Sequence, residues 1–149
     1  MSDAVAPVGT NQTKVFQALV KVRFAHTDPA GIIFYPRYFE MLNQVMEDWF
    51  ADGLGYSFRE MVIGDDMGVP AVHVEADFTS ASTLGDDILF SLTVEHLGRS
   101  SCRVRVTGVV DGIVRVIFRL TVVYAAMKDR SSTAWPDGLR ARMAEFLEQ

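Results

Sequence analysis

The segment His26-Thr27-Asp28-Pro29-Ala30-Gly31 holds the residues of this sequence best suited to chemistry. Asp28 is a lone carboxylate directly before Pro29, a short way ahead of Pro36, where a helix is expected to begin. The residues after Pro29 (Ala30, Gly31, Ile32, Ile33, Phe34) are small or apolar. A carboxylate there meets an apolar surrounding and the backbone N–H groups that a first helical turn leaves unsatisfied. Such N–H groups, those around Tyr35 in particular, can polarise a carbonyl oxygen and stabilise an oxyanion. Asp28 could then attack the carbonyl or activate water. The plainer reading is that Asp28 caps a turn before Pro29, and spacing alone favours it.

Other catalytic devices are missing. Gly55-Tyr56-Ser57 is followed by Phe58-Arg59, so there is no Gly-x-Ser-x-Gly elbow. Neither a phosphate-binding glycine loop nor a His-Glu-x-x-His zinc helix occurs. His26, His73 and His96 lie on separate segments without ligand spacing, so no metal site is expected; His73 and His96 read as strand histidines at a surface or pocket edge. Cys102 is the only cysteine, which excludes an intrachain disulfide and reads as a small apolar strand residue. A net charge of −5 without a basic block argues against a nucleic-acid partner. It leaves room for an anionic small molecule held by a few arginines.

Hydrophobic residues make up 49% of the chain and charged ones 22%, a globular composition. The 149 residues fit one domain, expected over 14–149 after a flexible tail at 1–13. The start lacks a signal peptide's basic and apolar runs, and no stretch is long enough to cross a bilayer. A cytoplasmic protein with no membrane partner is expected.

These elements must position Asp28. Phe16, Ala18, Val20, Val22 and Phe24 alternate with polar residues, predicting a strand that stops at the Pro-Gly punctuation of residues 29–31. Phe39, Leu42, Met46, Trp49 and Phe50 recur at helical spacing after Pro36, with Met41 and Val45 off the stripe, so that helix is buried on most sides. A short helix over Ser57–Ile63 follows, then four alternating strands around 72–78, 88–95, 102–110 and 114–124, with Asp111-Gly112 as a hairpin turn. A last helix from Pro136 buries Leu139, Met143, Phe146 and Leu147. Consecutive one-sided strands imply an antiparallel sheet packed on the long helix, an α+β domain.

The run Asp28-Pro29-Ala30-Gly31-Ile32-Ile33-Phe34-Tyr35-Pro36-Arg37-Tyr38 resembles the signature of 4-hydroxybenzoyl-CoA thioesterases of the hotdog-fold superfamily. The likeness runs from Val20 to about Met127, through Gly68-Val69-Pro70 and the Gly98-Arg99-Ser100-Ser101 turn. It reverses the ranking of the two readings of Asp28. It implies a hotdog fold, a curved antiparallel sheet of about five strands around a long central helix. It further implies homodimers at least, with a homotetramer as the expected assembly, and active sites between subunits. The activity implied is hydrolysis of an acyl-CoA or aroyl-CoA thioester, with no cofactor beyond the CoA of the substrate. Asp28 matches the essential carboxylate, nucleophile or general base, and Tyr35 the backbone N–H donor to the thioester oxygen. Gly31 belongs to the same run, on the substrate side. Arg99, Ser100 and Ser101 match a turn that contacts CoA phosphates, although an exposed turn arginine is also often only solvated. Arg37 and Arg119 are weaker candidates, and a solvated turn accounts for Asp65 and Asp66. His26 departs from the Asp or Glu that many relatives carry there. It either tunes Asp28 or contacts the acyl group, or is a tolerated polar residue. The alternatives are a non-catalytic acyl-CoA or acyl-carrier-protein binder and a hotdog hydratase or dehydratase.

Overall fold

Strand alternation sets which side chains meet the long helix, and the register sets what lies at each end of the sheet. The computed structural model describes residues 12–149. Strand β1 is Phe16–Lys21, β2 Met67–Gly68, β3 Ala71–Phe78, β4 Asp87–Leu97, β5 Ser101–Val110, β6 Ile113–Val123 and β7 Ala125–Ala126. Helix α1 is Pro36–Asp48 and α2 Asp137–Ala144. Five strands form one antiparallel sheet in the order β1-β4-β5-β6-β3, while β2 and β7 pair separately. The expected tail lies outside the described residues up to position 11; Thr13 donates to the Leu147 carbonyl at 3.0 Å.

Ile88, Phe90, Leu92 and Val94 of β4, Val104 and Val106 of β5, and Phe118 and Leu120 of β6 are buried against Met41, Leu42, Val45 and Met46 of α1. Met41 and Val45 are thus core residues, which makes α1 apolar on more than one stripe. Gly108 shows how closely the sheet is packed. A Cβ there would sit 2.9 Å from Phe90 Cε1 and 3.0 Å from both Ile88 Cγ2 and Val116 Cγ1. Gly108→Ala is therefore expected to destabilise the fold by about 1–3 kcal/mol through overpacking. A lowered urea midpoint at unchanged slope would show it.

Four expectations are corrected. The first strand ends at Lys21, and Phe24, expected inside, is 74% exposed at the start of a short 3-10 turn, Phe24–His26. The backbone of Val22 bonds to Gly85 and Asp86 instead of a ladder, so the chain leaves the sheet there. Past Asp48 the long helix widens into a π-helical turn, Trp49–Gly53, where the Leu54 N–H reaches back to the Trp49 carbonyl at 2.9 Å. The short helix expected over Ser57–Ile63 is likewise π-helical, at Arg59–Gly64. Phe146 and Leu147 lie beyond α2, and Val94 exchanges backbone bonds with Phe146 and Glu148.

The register gives the sheet two ends. At the first, Lys21 faces Asp87, Val110 faces Ile113, and Phe78 faces Val116. At the second, Leu97 faces Cys102 while Cys102 and Ala71 both face Val122. Strand β3 forms one edge, and among the described residues no strand pairs with its outer side. No helix among the described residues is long and apolar enough to cross a membrane.

Candidate active site

Asp28 sits in a hairpin tip whose every bend has a local cause. Its carbonyl accepts the Gly31 N–H and its own N–H donates to the Ile32 carbonyl, both at 2.9 Å. That is a turn with Pro29 at its first corner, followed by a left-handed residue, which Gly31 supplies at φ +78°. Asp28 Oδ1 accepts the Ala30 N–H at 2.8 Å, closing the turn a second time through the side chain. The capping role that spacing favoured is present, and it leaves Oδ2 without a partner among the described residues.

The tip is stitched to a second loop, residues 79–86. Ile33 N–H donates to the Ser82 carbonyl (3.0 Å), Leu84 N–H to the Gly31 carbonyl (2.9 Å), and Gly85 N–H to the Val22 carbonyl (2.9 Å). Ser82 is buried, and its hydroxyl meets Tyr38 Oη of α1 at 3.1 Å. The Asp28 hairpin is thereby fixed to the first end of the sheet and to the first turn of the helix.

At the helix start one donor stays open. Pro36 has no N–H. The N–H groups of Arg37 and Tyr38 turn back to the carbonyls of Phe34 (2.9 Å) and Tyr35 (3.1 Å). The Tyr35 N–H donates to no acceptor among the described residues, at the positive end of α1. Phe34 and Tyr35 are exposed, and Tyr35 and Phe78 meet edge to face with ring centroids 6.1 Å apart. An acceptor-rich carboxylate, a free N–H and uncovered apolar rings suit attack on, or water activation at, a polarised carbonyl.

His26 shapes the loop with its backbone and ring. Its carbonyl accepts the Phe34 N–H at 2.9 Å, and Nδ1 accepts the Arg23 N–H at 2.8 Å, which places the proton of the neutral ring on Nε2. No hydrogen bond joins it to Asp28 among the described residues. Burial, with Arg37 and Arg23 acting the same way and Glu40 against them, holds its pKa below the ordinary 6.5. The folded chain thus takes up this proton less readily than the unfolded one, so stability rises with pH through the window just below 6.5. His26→Gln is expected to remove that part of the rise, read as a smaller shift in urea midpoint between pH 5 and 7.5. An unchanged shift would refute it.

Arg99, Ser100 and Ser101 are not part of this cluster. They lie in the β4–β5 turn at the second end, and β4 alone spans 11 residues, so roughly 30 Å separates the turn from Asp28. The Ser100 carbonyl accepts the Tyr124 N–H (2.8 Å), and the Arg99 carbonyl the Trp135 N–H (2.9 Å), leaving the Arg99 guanidinium exposed. Of the weaker candidates, Arg37 pairs with Glu40 at 2.6 Å and Arg119 with Glu95 at 3.4 Å, while Asp65 accepts from Tyr56 Oη at 2.6 Å. Cys102 is buried, which pushes its thiol up to about 12. No group of three or more His, Cys, Asp or Glu among the described residues is placed to hold a metal ion.

The same second end holds a cavity of about 610 Å³ that sequence reasoning missed. Met46, Met61, Val69, Leu120 and Ala126 are among its walls, and Asn43, Glu47 and Arg130 bring its polar side chains. The signal was faint. Met61 is one apolar residue of a short helical segment, and the two-residue strands β2 and β7 that frame the cavity have no readable period.

The sheet, the central helix and the hairpin ahead of it define a hotdog-fold protein. The family model described as "Thioesterase superfamily" matches residues 30–117, and the chain belongs to that superfamily. Two curated relatives are 1,4-dihydroxy-2-naphthoyl-CoA hydrolases. The one from Acaryochloris marina is 28% identical over 68% of this chain and 74% of its own length. The one from Synechocystis is 28% identical over 50% of this chain, which spans only 53% of that relative. Among solved structures, a thioesterase-superfamily protein from Jannaschia sp. CCS1 superposes with a TM-score of 0.84 at 24% identity, covering 91% of this chain and 95% of that one. A gentisyl-coenzyme A thioesterase does so at 0.76 and 23%, covering 87% and 99%. These structural likenesses concern the fold.

Proposed function

We propose that this chain hydrolyses acyl-CoA thioesters, aromatic ones in preference, to the free acid and CoA. The observation that carries it is that one hairpin and the helix start that follows it hold a tethered Asp28 carboxylate and a Tyr35 N–H without an acceptor among the described residues. In the proposed reaction the Tyr35 N–H holds the thioester oxygen. Asp28 attacks the carbonyl carbon itself or takes a proton from the water that does. When water attacks, its oxygen bonds the carbonyl carbon, the C–S bond breaks, and the proton taken up by Asp28 passes to the departing sulfur. When Asp28 attacks, CoA leaves from a mixed anhydride, which water then cleaves to the free acid and the Asp28 carboxylate while its other proton goes to the thiolate. No metal or bound cofactor takes part, and we place the reaction in the cytoplasm.

The aromatic preference draws support from the relatives, named for dihydroxynaphthoyl and gentisyl esters. The Asp28-to-Tyr38 run favours a hydroxybenzoyl ester within that class. Thiol release from 4-hydroxybenzoyl-, 1,4-dihydroxy-2-naphthoyl-, gentisyl- and palmitoyl-CoA tests this. We expect the aroyl esters to turn over faster than palmitoyl-CoA; no turnover of any ester would end the proposal.

We further propose that the active unit is at least a homodimer paired through β3. An eight-residue edge strand with Val72, Val74 and Phe78 exposed and no Lys or Pro within it invites another strand. Antiparallel pairing of β3 with its own copy sets Ala71 of each chain near the partner's Phe78 end. That brings the cavity and Arg99 turn of one chain beside the Asp28 and Tyr35 of the other. Assembly of two such dimers into a tetramer is the larger form we expect.

A further inference from the structure

We propose that Arg115, on β6, is a positioning residue for Asp28 and acts through the loop of residues 79–86. The inference rests on the thioesterase reading and deepens it. Hydrogen bonds, more than packing, must hold this loop, because Ser82 alone among its residues is buried. The loop enters from β3 over the end of β6. There the Thr79 N–H donates to the Arg115 carbonyl at 3.0 Å, and the hydroxyls of Thr79 and Ser80 donate to the Val114 carbonyl at 2.6 and 2.9 Å. It leaves toward β4 through a closed turn, in which Asp86 Oδ2 accepts the Thr83 N–H at 2.9 Å and the Thr83 carbonyl accepts the Asp86 N–H at 3.0 Å. Between these anchored ends the Arg115 guanidinium donates to the Ala81 carbonyl.

Ala81 adjoins the contacts that hold the Asp28 hairpin. The Ser82 carbonyl accepts the Ile33 N–H, and Ile33 bridges to Thr27, the residue before Asp28. Two residues further on, the Leu84 N–H donates to the carbonyl of Gly31, past the turn. A shift of the Ala81 carbonyl therefore moves the backbone on both sides of the carboxylate. No other donor among the described residues reaches that carbonyl, and a bond from a charged donor is stronger than one from a neutral amide. The arginine is committed to this contact. It forms no ion pair among the described residues, and its Nε is buried there without a hydrogen-bond partner. A donor left unmet in this way marks a side chain held by its surroundings and not by its own solvation.

Amide hydrogen exchange and steady-state kinetics on the whole chain test this together. For Arg115→Gln we expect the Ile33 and Leu84 amides to exchange about tenfold faster or more, with Phe90 and Val106 of the sheet unchanged. For benzoyl-CoA, kcat should fall about tenfold while KM moves less than about twofold, since a carboxylate slightly out of line impairs attack more than binding. Arg115→Lys, whose ammonium can still donate to Ala81, should recover most of both losses. In a chain that already carries Asp28→Asn, the Gln substitution should lower the residual turnover by less than about twofold, because the two residues act as one unit. A full tenfold loss in that background would show Arg115 acting by another route. Unchanged exchange at Ile33 and Leu84, or faster exchange shared equally by Phe90 and Val106, would overturn the assignment. Failure of the thioesterase reading would look different: wild-type protein would hydrolyse no ester, while the exchange rates still decided whether Arg115 holds the hairpin.

Discussion

Asp28→Asn is expected to lower kcat/KM for aroyl-CoA hydrolysis by about a thousandfold or more, mostly through kcat, and to leave the fold almost untouched. The asymmetry follows from the two duties of the side chain. Its Oδ1 accepts the Ala30 N–H, a bond that an asparagine carbonyl oxygen makes equally well. Its second oxygen has no partner among the described residues, and replacing it by an NH₂ group removes both the negative charge and the lone pairs needed for attack or for proton transfer. Asn is therefore a cleaner probe than Ala, which would also open the turn. Steady-state kinetics beside a thermal melt would show the split. Turnover within a few-fold of wild type would sink the carboxylate mechanism, whatever the protein's substrate.

The second large effect is restoration of activity by mixing two inactive chains. Ala126→Trp should fill the cavity and abolish aroyl-CoA turnover, since Ala126 lines it. If sites are shared across β3, a heterodimer of that chain with Asp28→Asn contains one site with Asp28 intact and the facing cavity open. Its other site carries both defects. Random pairing at equal amounts makes about half the dimers mixed, so about one quarter of wild-type activity should return. A site contained within a single chain predicts none. Refolding the two variants together, with each alone as control, decides between them. Activity of Ala126→Trp alone at the wild-type level would show that the cavity does not take the acyl group.

The parts of this architecture legible in the sequence are those with a strong local cause. Gly31 at a left-handed corner, Pro36 at a helix start and the alternation of β4, β5 and β6 are each dictated by residue chemistry at that position. Phe24 was misread because apolar alternation continued past the point where backbone bonding to residues 85 and 86 ends the strand. Strand β3 alternates like its neighbours, yet Val72 and Val74 are exposed, since period reports a strand and not whether anything covers it. The π-helical turns at Trp49–Gly53 and Arg59–Gly64 carry apolar spacing that does not distinguish them from α-helix. The separation of Asp28 from Arg99 is a matter of strand register, and the cavity with Arg130 depends on two strands of two residues each. Such features emerge only when distant segments meet.

The stitching of the Asp28 hairpin to residues 79–86 has an energetic consequence. The loop's backbone donors and acceptors are satisfied by Ser82, Gly31 and Val22 before any ligand arrives. The conformational entropy of aiming the carboxylate is lost once, when the chain folds, and is not charged against each binding event. A ligand reaching this tip meets an electrostatic field already organised by folding.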